Sequence, residues 1–334
     1  MATMDEIAEK AGVSQATVSR VINGYSGVSE NKKRAVMEWV RKLDYQPNKT
    51  AQSLKNKKSN LIGIITPEIS NPYFSEIIEK VENEARKYGY SIILTNTSGN
   101  IQNEKNALNT LRSRQVDGVL IVPTETEAPH ILSLAEKDIP TVMLTQHTPK
   151  FDSVAVSHLD GGRKVAEHLL ELGHQDIAFI GNQDDPKLKG LKMGLLNHGI
   201  EFNNEAIIEV GSWIGQRGSH QVYNYLNEYL KTNKKLNFTA VFAYNDLAAL
   251  GAMHALLDNG YQIPEDIAIV GFDNTFLADE TRPGLTSVSQ PTGEIGRLSV
   301  EVLLDKISNL EKEISEIVLE PHLIVRESTS KIKR

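Results

Sequence analysis

Met4-Asp5-Glu6-Ile7-Ala8-Glu9-Lys10-Ala11-Gly12-Val13-Ser14-Gln15-Ala16-Thr17-Val18-Ser19-Arg20-Val21-Ile22-Asn23 is the stretch whose reading decides the fold. Met4, Ile7, Ala8 and Ala11 recur at helical spacing and form one apolar stripe. Gly12 suits the left-handed backbone that ends a helix, and Ser14 can cap the next one. That second helix, Gln15 to Ile22, turns Val18, Val21 and Ile22 inward and leaves Gln15, Ala16 and Arg20 outside. A third helix is predicted after Ser29, with Ala35, Val36, Trp39, Val40 and Leu43 on its buried side. Three short helices around one corner glycine make a helix-turn-helix. Arg can bond two acceptors of guanine in the major groove, Gln can read adenine, and Ala16 can touch a thymine methyl. The same spacing also fits a plain three-helix bundle with solvated polar residues.

Charge sharpens the choice. Residues 1–60 hold 11 Lys/Arg against 6 Asp/Glu, a net of +5, whereas the remainder holds 25 against 37, a net of −12. A basic head on an acidic body suits a polyanion contact confined to one end. The 334 residues are too many for one core and predict two or three units. The chain has no cysteine, which excludes disulfides, thiolate metal sites and cysteine nucleophiles. It has no apolar run of membrane-spanning length and opens without a signal-peptide pattern, so a cytoplasmic location without membrane contact is expected.

Met4-Asp5-Glu6-Ile7-Ala8, Gly12-Val13-Ser14, Ala16-Thr17-Val18-Ser19-Arg20-Val21-Ile22-Asn23 and Tyr45-Gln46-Pro47-Asn48 resemble the LacI/GalR family of repressors almost continuously over sixty residues. The resemblance implies that Gln15, Ala16 and Arg20 face bases, and that Ser14, Thr17, Ser19 and Asn23 lie near the backbone or cap the fold. It also implies a hinge helix within Asn48-Lys49-Thr50-Ala51-Gln52-Ser53-Leu54-Lys55. There Asn48, Ala51 and Lys55 are DNA candidates, and Leu54 is a minor-groove wedge that bends the duplex.

From Leu61 onward, short β-rich runs alternate with helical stretches. Leu61–Ile65, Ser91–Leu94, Val119–Val122 and Thr141–Leu144 form one series, with a helix at about Ser75–Tyr88. Ile177–Ile180, Ala240–Ala243 and Ile267–Val270 form a second. Alternation of this kind implies an α/β fold of doubly wound parallel sheets in two lobes. Ser70-Asn71-Pro72-Tyr73-Phe74, Leu172-Gly173-His174 and Val270-Gly271-Phe272-Asp273-Asn274 extend the family resemblance, whose body is similar to periplasmic sugar-binding proteins. The expected division is a head over 1–47, a hinge and linker over 48–60, and an effector-binding, dimerising body over 61–334. The resemblance implies three lobe crossings, near 158–162, 288–292 and 321–324. Lobe 1 would then hold about 61–160 and 292–322, and lobe 2 about 161–291 and 323–334.

Ligands of open α/β sheets bind outside the carboxyl ends of the strands. An aromatic wall and convergent amide or carboxylate groups there suit a sugar. Phe74, Trp213, Asn245 and Asp273 match effector-contacting positions of the family, as do Tyr73 and Gln146. Asp246 is expected to cap the following helix instead. Lys187 replaces the arginine often found at its position, and if it enters the cleft an anionic sugar phosphate or sugar acid becomes a candidate ligand. His168, His174 and His198 read as surface. No phosphate loop, zinc-type His-Glu pair, nucleophile elbow or glycine fingerprint occurs, so neither a catalytic residue, a metal nor a cofactor is expected.

The expected partners are palindromic operator DNA, a second copy of the chain and a small, carbohydrate-derived effector. A purine-type corepressor and a regulatory partner protein, such as a phosphorylated carrier protein, remain alternatives for control. A sugar-binding protein or an enzyme is the rival from another class.

Overall fold

The computed structural model describes residues 2–45, 58–135, 139–209, 218–232 and 236–330. The chain forms two compact units, Met1–Ser59 and Asn60–Arg334.

In the first unit, α1 (Met4–Ala11), α2 (Gln15–Ile22) and α3 (Glu30–Lys42) close on one small core. The Glu6 N–H donates to Thr3 Oγ1 (3.2 Å), and Gly12 ends α1 with φ 64°. Ser14 Oγ accepts from the Thr17 N–H (3.3 Å), so the chain restarts as a helix only two residues after the corner. Ile7, Val18 and Val36 are fully buried, and Tyr45 joins them, a core position that the periodicity had not marked. Trp39 lies between the Lys10 and Lys42 ammonium groups, 5.2 and 4.7 Å from its ring.

The second unit begins with β1 (Leu61–Thr66), α4 (Pro72–Lys87), β2 (Ser91–Asn96), α5 (Ile101–Ser113) and β3 (Gly118–Ile121). Then follow α6 (Pro129–Ala135), β4 (Thr141–Thr145) and β5 (Asp152–Val156). The chain passes into a second sheet through α7 (His158–Glu171), β6 (Ile177–Ile180), α8 (Pro186–Leu196) and β7 (Ile207–Ile208). It continues through α9 (Gly218–Thr232), β8 (Ala240–Ala243), α10 (Asp246–Asp258), β9 (Ala268–Asp273), α11 (Phe276–Glu280) and β10 (Thr286–Ser289). After Gln290, α12 (Thr292–Ser308) and β11 (Glu316–Leu319) return to the first sheet, and β12 (His322–Ile324) completes the second.

The first sheet has the order β11-β5-β4-β3-β1-β2 and is parallel throughout. The second runs β12-β10-β9-β8-β6-β7, parallel except for β12 against β10. Both central regions are buried on each face, which is why β1, β3, β6 and β8 read as unbroken apolar runs. The winding reverses between β1 and β3 in one lobe and between β6 and β8 in the other. Those two reversals set the position of a crevice at the carboxyl ends of the strands.

Two details differ from the sequence reading. The helix after β1 starts at Pro72 rather than Ser75, because Asn71 caps it (Tyr73 N–H to Oδ1, 3.1 Å) and proline is favoured in a first helical turn. Tyr73 and Phe74 are therefore helical, not part of a loop. His174 is not on the surface: it is 3% exposed, with its ring nitrogens bonded to Thr239 Oγ1 (2.9 Å) and the Ser330 carbonyl (3.0 Å). His168 is partly buried against Thr329 (3.0 Å).

Candidate functional site

The exposed face of α2 presents Gln15, Ala16 and Arg20 side by side, because Val18 and Val21 anchor the opposite face. Ser14, Thr17, Ser19 and Asn23 bond mainly to one another. Ser14 Oγ lies 3.0 Å from Thr17 Oγ1, and Asn23 Nδ2 donates to the Ser19 carbonyl (2.8 Å). They hold both ends of the helix in a fixed pose. Asn48, Ala51, Leu54 and Lys55 of the expected hinge lie outside the described residues, as does Trp213.

In the second unit the polar residues converge on the reversal between β6 and β8. Asp185 caps α8 through the Lys187 N–H (2.8 Å) and so aims the Lys187 side chain inward. Only 8% exposed, its Nζ donates to the Tyr244 carbonyl just beyond β8 (2.7 Å) and lies 4.4 Å over the Phe272 ring. Asp273 ends β9 with φ 103° and is followed by Asn274 with φ 50°. Non-glycine residues in that region carry strain of about 1–3 kcal/mol each and persist where surrounding contacts fix them. Here the contacts are plain. Gln290 Nε2 donates to Asp273 Oδ1 (2.7 Å), and the Asn274 N–H donates to Ser287 Oγ (3.0 Å). Asp246 accepts from the Thr275 N–H (2.7 Å), from Thr275 Oγ1 (3.1 Å) and from Ser287 Oγ (2.5 Å).

Asp246 is thus buried and braces the Asp273 turn, while Asn245 caps α10 by accepting from the Ala248 N–H (2.8 Å). The expected roles of this pair are corrected to that extent: the cap is Asn245. Asp246 points the other way because its carboxylate finds three donors on β10 and the turn after β9.

Across the cleft, Tyr73 is buried in the first turn of α4, with Phe74 tilted against its ring at 5.3 Å. The Tyr73 hydroxyl donates to Gln290 Oε1 (2.8 Å). His158, at the start of α7, faces the same Gln290 side chain and packs edge-on against Phe272 at 5.5 Å. Tyr73, Lys187 and Asp273 are therefore brought together, with Asn245 next to Tyr244 at one side. Gln146 is tied within lobe 1, its amide donating to the Pro123 carbonyl (3.4 Å). Gln290, His158 and Tyr244 were missed by sequence reasoning. The available signal was position: Gln290 and His158 sit on two of the implied crossings, where a polar side chain reaches both lobes.

Burial governs the ionisation of this cluster. It lifts the Asp273 carboxyl to about 8 despite the nearby Lys187 charge, and lifts Asp246 to about 6. Burial and the Lys187 charge together press His158 down to about 3, so its ring is neutral. Tyr244 is raised by burial and by the carboxylates around it. The cluster offers one ammonium, the Asp273 carboxyl, amides and aromatic faces, a set that matches hydroxyl-bearing ligands. A groove of about 610 Å³ lined by Thr239, Tyr261 and Asp266 opens instead at the amino ends of β8 and β9. Among the described residues, no group of acidic and histidine side chains is arranged to hold a metal ion. No described helix is long and apolar enough to cross a membrane.

Comparison with known proteins gives the same picture. Residues 3–48 match the model of the bacterial regulatory proteins, lacI family, and residues 166–329 match that of the periplasmic binding protein-like domain. Catabolite control protein A of Priestia megaterium is 35% identical over 336 residues, covering 98% of this chain and 99% of that protein. The HTH-type transcriptional repressor PurR of Aliivibrio fischeri is 33% identical over 339 residues, covering 99% of each. The solved structure of the lac repressor dimer bound to operator and the anti-inducer ONPF is similar with a TM-score of 0.87. It is 29% identical, with 98% of this chain and 99% of that one covered. A DNA-reading head joined to a two-lobed body of this kind, alike over nearly its whole length, belongs to the LacI family of bacterial transcription regulators.

Proposed function

We propose that the protein represses carbohydrate-utilisation genes in the cytoplasm by binding a palindromic operator as a homodimer, and that a small carbohydrate-derived ligand in the interlobe cleft sets its affinity for DNA. One head covers a half-site, and a two-fold pair of heads matches a palindrome. In this reading Gln15, Ala16 and Arg20 contact base edges, with Ser14, Thr17, Ser19 and Asn23 supporting them. The hinge, residues 48–60, contributes Asn48, Ala51, Leu54 and Lys55 between a head over 1–47 and a body over 61–334. Tyr73, Phe74, Gln146, Lys187, Trp213, Asn245 and Asp273 are assigned to the effector. The observation that carries the effector assignment is the buried Lys187 ammonium beside Asp273, at the strand-order reversal between β6 and β8. Ligand binding there shifts the population of lobe arrangements and so couples to the DNA-binding end.

The chain has two tryptophans, Trp39 and Trp213. In a Trp39→Phe variant the emission belongs to Trp213 alone, and a panel of sugars, sugar phosphates, sugar acids and purines can be titrated against it. A saturable change with a carbohydrate class is the expected result. Silence across the panel, in protein that still binds DNA, would defeat the effector assignment.

A further inference from the structure

The polar chain across the cleft has a second strand that the effector reading leaves unused. One helical turn after Tyr73, the partly buried Glu76 carboxylate faces the Phe276 N–H. Tyr73 and Glu76 lie on successive turns near the start of α4, in lobe 1, whereas Phe276 opens α11 in lobe 2. The segment from Asp273 to Phe276 cannot yield independently. Gln290 holds Asp273, Ser287 holds the strained Asn274 that follows it, and Asp246 holds Thr275. Gln290 is also fixed from the lobe 1 side. It precedes α12, which lies so close to α4 that a Cβ on Gly296 would meet the Lys80 side chain and the Val81 backbone nitrogen. The two polar lines therefore run from one rigid helix to one rigid turn. One passes through the crossing residue Gln290 and the other is direct.

We propose that the amino-terminal end of α4 is a two-point latch across the cleft, Tyr73 through Gln290 to Asp273 and Glu76 to Phe276, which fixes the setting of the two lobes. Gln290 is then a positioning residue. A ligand donor that reaches Asp273 takes the place of the Gln290 amide, and the released amide slackens Tyr73 at the same moment. The purpose of the latch rests on the effector reading above, but its geometry does not.

The test is made on full-length protein with no ligand added, so a failed tryptophan titration and a failed latch are separate results. Because the chain has no cysteine, Lys105→Cys and Glu201→Cys place one spin label on each lobe at exposed sites. Labelled chains are mixed with excess unlabelled chain, and the interlobe distance distribution is read by pulsed electron resonance. It is compared among the parent, a Tyr73→Phe/Glu76→Ala double variant and Glu79→Ala, a control in which an exposed carboxylate on the same helix is removed. The double variant should shift or broaden the distribution by about 2 Å, the scale of sliding between packed elements, while Glu79→Ala should superimpose on the parent. A double variant that superimposes on the parent, or a control that moves as far as the double variant, overturns the latch.

Discussion

Asp273 is the residue at which ionisation and architecture meet. Burial pushes its carboxyl up to about 8 in the fold, against about 3.9 in an unfolded chain. A carboxyl raised in this way adds stability in its protonated form below pH 4, and that contribution disappears as the pH climbs through 8. Asp273→Asn keeps the shape and removes the titration. Its melting temperature relative to the parent should therefore rise between about pH 4 and pH 8 and then level off, and parallel profiles for the two proteins would contradict the assignment. In the head, Arg20→Ala should relax base preference at one position of each half-site at a cost of about 1–3 kcal/mol per contact. Selection of operators from a randomised pool would read that change directly, and an unaltered preference would remove Arg20 from the base-reading set. At this scale the sequence was informative where a side chain acts through a short local geometry. Ser14 and Gly12 bracket α2 as their chemistry requires. It was uninformative for Asn245 and Asp246, which are adjacent and chemically alike. Which of them caps the helix is decided by donors on β10 and the turn after β9, at least 29 residues further on.

Among the elements, α7 and α8 pack at the closest approach that glycine allows. A Cβ on Gly162 would overlap the Lys187 carbonyl oxygen, and one on Gly190 would overlap that of Leu159. Since α7 starts at a lobe crossing and α8 carries Lys187, this contact also sets where the ammonium stands. Gly162→Ala should lower the stability of the second unit by about 1–3 kcal/mol, the usual effect of overpacking, and weaken ligand binding along with it. Gly293→Ala makes a fair control, because no atom lies within 4 Å of its Cβ position and its backbone is ordinary. Urea titrations followed by circular dichroism would compare them, and equal midpoints for the two variants would exclude the close-packing account. The long periodic or fully apolar segments were legible from pattern alone. The strands β5, β10, β11 and β12 were not, because each is short, and the polar residues of β5 and β10 take partners from remote parts of the chain. Asp152 Oδ1, for instance, accepts from the Ser315 N–H (2.8 Å).

At the scale of the whole molecule, composition and pattern reveal a basic head, an acidic body and two α/β lobes, and the fold follows from the strand–helix alternation. The cleft chemistry is less accessible, because its members come from residues 73, 158, 187, 244, 273 and 290, which only the completed topology assembles. That topology has a consequence for how the protein is made. The head is one contiguous stretch, whereas the first sheet takes its edge strand from Glu316–Leu319 and the second from His322–Ile324. Ser328 then stitches the second lobe shut, donating from Oγ to the Ile269 carbonyl (2.6 Å) and accepting from the Thr286 N–H (2.8 Å). Synthesis proceeds at about 5–20 residues per second, so a nascent chain carries a finished head for tens of seconds before either lobe can close. During that interval the part that reads DNA exists on the ribosome without the part that answers to a metabolite.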